Sequence, residues 1–359
     1  MSTRAERLAG RLAEADVDCL LVTGRVDVRY LTGFTGSNGL ALIGPQTRVF
    51  ATDFRYGEQA AEEVDPAYER IVATGSGELL DLVGEALDTG SLRLGFDDRV
   101  LTVREHAQLR KQLPDRIELI AAGDVTRGLR AVKDADELER IRAAARVADE
   151  ALAEVLAQGL IGRTERAVAD ALEAAMRVRG ASEPAFASIV AAGPHGALPH
   201  AQPREVPIAA GQLVTIDWGA RMAGYCSDCT RTYAAGEPSA HGREIHALVL
   251  EAMRAAVATV APGAEGVAVD AAAREIITAA GHGEHFGHGL GHGAGLEVHE
   301  PPALSRRSND TLRAGEIVTV EPGIYLPGEL GVRIEELVRV DEAGPEILTA
   351  LDTELTVID

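Results

Sequence analysis

The chain has 359 residues, 46% hydrophobic and 25% charged, the proportions of a globular protein rather than a disordered one, and at about 150 residues per domain it should form two domains. Its formal net charge of -21 repels phosphate backbones and argues against nucleic acid as a partner. No apolar run approaches the roughly 18 residues of a membrane span, the charged start MSTRAERLAG lacks the apolar core of a secretory signal, and Cys19, Cys226 and Cys229 are too few for a disulfide framework, so a cytoplasmic protein with reduced thiols and no membrane partner is expected.

Up to residue 123, short β-branched runs alternate with amphipathic stretches. The runs DCLLVT, GLALIG, RVFATD, ERIVAT, RLGFDD and IELIAA read as strands, and ELLDLVGEALD and REHAQLRKQL as helices, which predicts a small α/β domain. Residues 125–137 are charged and weakly periodic, and Asp134 is placed to cap the long helical pattern that follows. The expected domains are 1–127 and 128–359.

The second half opens with two helical patterns, the second running from Thr164 to Gly180, and then turns to strands. SIVAAG, LVTIDWGA, YCSDCTRTYA, EIVTVEPGIYL and GVRIEELVRV are strand-like, with further helices expected at about 241–260 and 265–280. An α+β domain is predicted.

LVTIDWGARMAGYCSDCTRT reads as a hairpin turning at Met222-Ala223, which sets Asp217 directly opposite Asp228. A second hairpin, turning at Pro327-Gly328, sets Glu321 opposite Glu335. Facing side chains in an antiparallel pair stand about 4.5–5.5 Å apart at Cβ, and like charges there are destabilising. A single such acid is as well explained as a solvent-facing residue on an amphipathic strand; two matched pairs inside apolar strands point to a divalent cation between them.

The stretch FGHGLGHGAGLEVHE, residues 286–300, alternates glycine with other residues. Glycine costs a helix about 1 kcal/mol per residue relative to alanine, so an extended conformation is expected, with His288, Leu290, His292 and Ala294 on one face. Glycine in a strand often marks close approach of another backbone or a ligand. Four carboxylates with an imidazole form an oxygen-rich set suited to manganese, cobalt, iron or zinc, and four negative charges match two divalent ions. Cys226-Ser-Asp-Cys229 has the spacing of a zinc ribbon or redox pair, but it has no second copy, and residues three apart on a strand point to opposite faces. By the same alternation Cys226 shares the face of Asp228, which predicts a site sensitive to thiol reagents.

Asp217 in TIDWGA, Asp228 in YCSDCTRT, His292 in HGLGHGAGLEVHE, Glu321 in VTVEPGIY and Glu335 in VRIEE resemble, in order and context, the five ligands of the dinuclear pita-bread metallopeptidases. YLTGFTGSNG and TDFRYGEQA resemble that family's smaller N-terminal domain, which methionine aminopeptidases usually lack. The resemblance is therefore to the Xaa-Pro peptidases, prolidases and aminopeptidase P. It implies a creatinase-like N-terminal α/β domain, a pita-bread (creatinase/aminopeptidase) catalytic domain, two divalent ions per subunit (Mn2+, Co2+ or Zn2+), a homodimer, and a metal-bridging water that attacks the carbonyl before proline in a dipeptide or short peptide. By the same resemblance Asp217 holds one metal, Asp228 and Glu335 bridge, and His292 and Glu321 complete the other. Glu321 further matches the general acid and base, His288 and His299 the residues that steady the oxyanion or contact substrate, His200 a histidine near the substrate, and Arg333 the arginine supporting the carboxylates. Tyr325 has a weaker claim as a pocket residue.

The compact chain leans towards a dipeptidase over an aminopeptidase. Two other readings share the fold: a creatinase-like C–N hydrolase, which works without metal and lacks the full ligand set, and a non-catalytic binding module, against which the charge and the intact acids speak.

Overall fold

The computed structural model describes residues 2–75, 79–87 and 90–359. The chain divides into two compact units, Met1–Arg130 and Ala131–Asp359.

In the first unit the six strand-like runs form one sheet. Its strands are β1 (Cys19–Val22), β2 (Gly39–Ile43), β3 (Arg48–Asp53), β4 (Glu69–Ala73), β5 (Leu92–Phe96) and β6 (Ile117–Ala121), in the order β4-β3-β2-β1-β5-β6. The β1–β2 and β2–β3 pairs are antiparallel and the other three pairs parallel. Leu21, Leu42, Val49, Leu94 and Leu109 form part of its core, each burial contributing about 1.5–3 kcal/mol. The amphipathic pattern at 78–88 yields a short helix, Asp81–Glu85; its end residues, 78 and 88, lie outside the described residues. The charged stretch after residue 124 begins with a helix, Val125–Arg130.

The second unit is α+β. Asp134 caps helix α1 (Ala135–Leu156) through a reciprocal pair of hydrogen bonds with Glu137, both 2.9 Å. Thr164 caps α2 (Glu165–Val178), which closes before Gly180 at φ 99°. These helices cover β7 (Ile189–Ala192), β8 (Gln212–Trp218) and β9 (Cys229–Ala235), burying Leu152, Leu172, Ile216 and Trp218 together. Helices α3 (Ala240–Val257) and α4 (Gly266–Ala279) belong to a second cluster, with Val318, Ile324, Val332 and Val338 from the later strands. Those strands include β10 (Gly291–Gly293), β11 (Glu300–Leu304), β12 (Ile317–Val320), β13 (Gly323–Leu326), β14 (Leu330–Arg333) and β15 (Glu336–Arg339).

The two hairpins fare differently. In the first, Asp217 pairs with Thr230 and Met222 with Tyr225, so the turn lies at Ala223-Gly224, not Met222-Ala223. Ala223 takes φ 47° and Gly224 φ 90°, the double positive-φ turn that matches strand twist. Asp228 is therefore not directly opposite Asp217. The slip is two residues; Asp228 falls between the strands Tyr225–Cys226 and Cys229–Ala235, and both acids still line the same cavity. In the second hairpin the expected register holds on both flanks, with Val320 opposite Glu336 and Gly323 opposite Arg333. Glu321 and Glu335 stand in the gap between these ladders. Their N–H groups bond elsewhere, to Leu290 O at 2.8 Å and Thr230 O at 3.0 Å.

The histidine and glycine run is extended only over β10, three residues long, with a bulge between His292 and Gly293. Leu290 and Ala294 are fully buried, whereas His288 and His292 line a cavity, so the four do not share one face. Bends either side of the short strand break the alternation. The close approach expected of glycine holds at Gly291 and Gly293, where a Cβ would overlap the carbonyls of Thr319 and Pro301. It does not hold at Gly287, which faces open space.

Candidate active site

A cavity of about 520 Å³ opens in the second unit. Asp217, Asp228, His288, His292, Glu321, Arg333 and Glu335 line it together with His200 and His299, and Phe186, Ile189, Pro199 and Val298 supply apolar wall. The candidate metal ligands, the histidines and Arg333 thus reach one space; Tyr325 does not line it and instead bonds His288 and Arg333.

Asp217, Asp228 and Glu335 each offer a carboxylate oxygen within 4.8 Å of the others. His292 Nε2 lies 3.2 Å from Glu321 Oε1 and 3.8 Å from Asp228 Oδ2. The His292 ring is fixed from behind, since its Nδ1 lies 3.1 Å from Gly293 O. A carbonyl only accepts, so Nδ1 carries a proton and Nε2 is the ring nitrogen turned to the acids; against the burial of the ring, the hydrogen bond and charge of Glu321 raise its pKa.

Arg333 ties the acids to the cavity wall. Its Nη2 donates to Asp217 Oδ2 at 2.7 Å, its Nη1 to Tyr325 Oη at 2.9 Å and Pro199 O at 3.1 Å, and its Nε to Thr230 Oγ1 at 3.1 Å. Thr230 in turn donates to Glu335 Oε2 at 2.8 Å. Thr319 Oγ1 accepts from His292 N at 3.0 Å and donates to Glu321 Oε1 at 3.2 Å. These two threonines and Tyr325 complete the polar surround. The threonines were legible in principle: each lies two residues from an acid in a strand-like run of sequence.

The electrostatics of this wall are strained. Burial pushes the Asp228 carboxyl well above the usual range, and the neighbouring charges of Glu335, Asp217 and Glu321 push it the same way. Glu335 is raised likewise by burial and by Glu321 and Asp217. Burial raises Asp217 too, with Arg333 opposing. Glu321 is the exception: against its burial, the hydrogen bond and charge of His292 hold it down at about 2. Burial lowers both His288 and His299, keeping them neutral near pH 7.

The same wall leaves Asp217 Oδ1 and Glu335 Oε1 buried without a hydrogen-bond partner. A buried unpaired carboxylate oxygen is costly. Divalent cations satisfy both conditions at once, by accepting the orphaned oxygens and reversing the repulsion, so these residues fit a metal site.

Cys226 does not share in this. It is fully buried, its Sγ directed at Leu296 O, and burial pushes its thiol up to about 12. Cys229 turns instead towards Glu335 O and Arg231. The expected thiol sensitivity fails because Asp228 sits between strands, where the face alternation is interrupted.

The family model for metallopeptidase family M24 matches residues 139–342, and that for the creatinase/prolidase N-terminal domain matches residues 4–132. The chain belongs to metallopeptidase family M24. An M24 relative, the Xaa-Pro dipeptidase of Pyrococcus furiosus, is 35% identical over 99% of this chain and 100% of its own. Among solved structures, the Xaa-Pro dipeptidase from Bacillus anthracis superposes with a TM-score of 0.94 at 39% identity, covering 99% of both chains. The X-Pro aminopeptidase from Thermotoga maritima gives 0.90 at 37%, covering 99% of this chain and 100% of that one. The M24 unit has the pita-bread fold, and divalent metal is the cofactor of this family. No helix among the described residues is long and apolar enough to cross a membrane.

Proposed function

We propose that this metallopeptidase hydrolyses the bond between an N-terminal residue and proline, with the Xaa-Pro dipeptide as the preferred substrate. One observation carries the reading: four carboxylates and the Nε2 of His292 converge on one cavity wall in which two buried carboxylate oxygens have no protein partner. Asp217, Asp228, His292, Glu321 and Glu335 hold two divalent ions, Mn2+, Co2+ or Zn2+. When bound, these ions polarise the scissile carbonyl and make water acidic enough to attack near neutral pH.

The protein's own groups do the rest. Glu321, oriented by Thr319, takes a proton from the attacking water and returns it to the departing proline nitrogen. His288 and His299 stand on the cavity wall to contact the substrate, His200 meets it from the rim, and Arg333 holds Asp217 in place. The apolar patch of Phe186, Ile189 and Val298 suits a pyrrolidine ring, which has no N–H to satisfy. Three buried free thiols accord with a reducing, cytoplasmic setting. The proposed homodimer follows from the family resemblance, and sedimentation reads it directly.

The test is hydrolysis of Ala-Pro and Ala-Pro-Ala by metal-stripped protein to which each ion is returned singly. Ala-Pro should be cleaved faster. Failure to cleave either peptide with any ion overturns the proposal.

A further inference from the structure

His288 lies in a segment with little shape of its own. Residues 286–290 fall outside any strand or helix, two of the five are glycine, and Gly287 has open space around it. Such a chain keeps wide conformational freedom unless something external pins it. The pin is a pair of residues one turn apart on α4.

Arg274 and Asp270 form a bidentate pair, with Nε to Oδ2 and Nη2 to Oδ1 both at 2.7 Å. Together they grip every second residue of the segment. Arg274 Nη1 donates to Phe286 O at 2.7 Å, Arg274 Nη2 donates to His288 O at 2.8 Å, and Asp270 Oδ1 accepts from Leu290 N at 3.0 Å. The guanidinium also lies 4.0 Å from the centre of the Phe286 ring, a stacked cation–π contact.

What is pinned connects directly to the site. His288 Nδ1 is 2.8 Å from Gly289 O, so it carries the proton, and the Nε2 lone pair accepts from Tyr325 Oη at 2.9 Å. Tyr325 in turn accepts from Arg333, whose other end holds Asp217. A shift in the backbone at 288 therefore displaces the His288 ring and its hydrogen bond with Tyr325.

We infer that Asp270 and Arg274 are positioning residues for the peptidase reaction, acting on catalysis through His288. The inference rests on the functional reading above. A pair that served only to stabilise the fold would have no reason to direct three of its hydrogen bonds at the backbone on alternate residues around one cavity-lining histidine. Arginine is required because its planar fork reaches Asp270 and two carbonyls together, which a lysine ammonium cannot do from one point.

The experiment is a double-mutant cycle on the metal-loaded enzyme with Ala-Pro and Ala-Pro-Ala, using Arg274→Ala, Arg274→Lys, His288→Ala and the Arg274→Ala/His288→Ala double variant. Arg274→Ala should lower kcat about 10- to 100-fold, the cost of misplacing an active-site group by around 1 Å, with KM and metal content little changed. Arg274→Lys should recover part of the loss. The double variant should be no slower than His288→Ala alone, within about threefold, because residues acting as a unit are non-additive. Arg254→Ala, which removes an exposed ion pair with Glu354, should keep wild-type rates.

Losses that multiply in the double variant, or a wild-type rate for Arg274→Ala, overturn the inference. Should Arg274→Ala fail to fold, Asp270→Asn takes its place in the cycle. If the wild-type protein cleaves neither peptide, the functional reading falls separately. The imidazole nitrogen resonances of His288 then decide the positioning claim: loss of the hydrogen-bonded Nε2 signal in the Arg274 variant supports it, and an unchanged signal overturns it.

Discussion

Arg333 holds Asp217 at 2.7 Å with one end of a guanidinium whose other end holds the Tyr325 hydroxyl at 2.9 Å. The arginine is buried, and its neighbours shift it towards a still firmer positive charge despite the cost of burial. Arg333→Lys supplies one compact head group where two separated contacts are needed. It should lower kcat/KM or metal affinity about 10- to 100-fold, the usual effect of disturbing the partner of a ligand. Steady-state kinetics with metal analysis of the same sample checks this.

Metal should stabilise the fold as well as activate it. Four carboxylates crowd one wall, with Asp228 and Glu335 raised by burial and mutual repulsion. A divalent ion at about 100 times its dissociation constant should add about 2.7 kcal/mol per site. Melting curves of the stripped protein with and without Mn2+ should separate by several degrees, and the gap should shrink in Asp228→Asn.

Two glycines in the same run should behave oppositely. Gly291→Ala drives a Cβ into the Thr319 carbonyl, displacing His292, and should cost at least about 100-fold in kcat or prevent folding. Gly287→Ala meets nothing within 4 Å and should leave activity within about threefold. Parallel expression, melting and rate measurements distinguish them.

His246, buried on α3, has its pKa lowered by burial to about 4. The unfolded chain, with His near 6.5, therefore binds a proton over pH 6.5 to 4 that the folded chain refuses. Stability from this group is complete above pH 6.5 and is lost as pH falls towards 4, by up to about 3 kcal/mol. In His246→Gln, denaturation midpoints measured from pH 7.5 to 4.5 should fall less steeply than in the wild type.

The thiols should be silent in the native state. Cys19, Cys226 and Cys229 are each free and at most 1% exposed, and burial pushes Cys226 up to about 12 and Cys229 well above its ordinary value. An aromatic disulfide reagent should titrate no thiol in the folded protein and three in denaturant, with full activity retained before unfolding.

What could be read in advance follows the kind of signal each segment carries. The six strands of the first unit stood out because β-branched runs were bounded by turn residues. The hairpin at Pro327-Gly328 was placed in register by a strong turn signal. The other hairpin was misplaced by two residues because Ala223 adopts a positive φ that its side chain gives no hint of, leaving Gly224 as second turn residue. The run from 286 to 300 reads as a longer strand than it is, since alternation cannot reveal where a chain bends to bury Leu290 and Ala294. Asp270 and Arg274 were invisible as site residues: an acid and an arginine four apart on a helix look like any surface pair. Only the fold shows what lies beyond them.

The ladder break at Glu321 and Glu335 has a consequence in time as well as space. Because the backbone N–H groups there reach Leu290 and Thr230 rather than their own hairpin, the acidic wall has no local version that a partly made chain could adopt. Residues 230 and 335 must already be joined across a hundred intervening positions. Contacts of such long sequence separation form slowly and late. A chain in which residue 335 has not yet reached residue 230 has no assembled acidic wall to offer an ion.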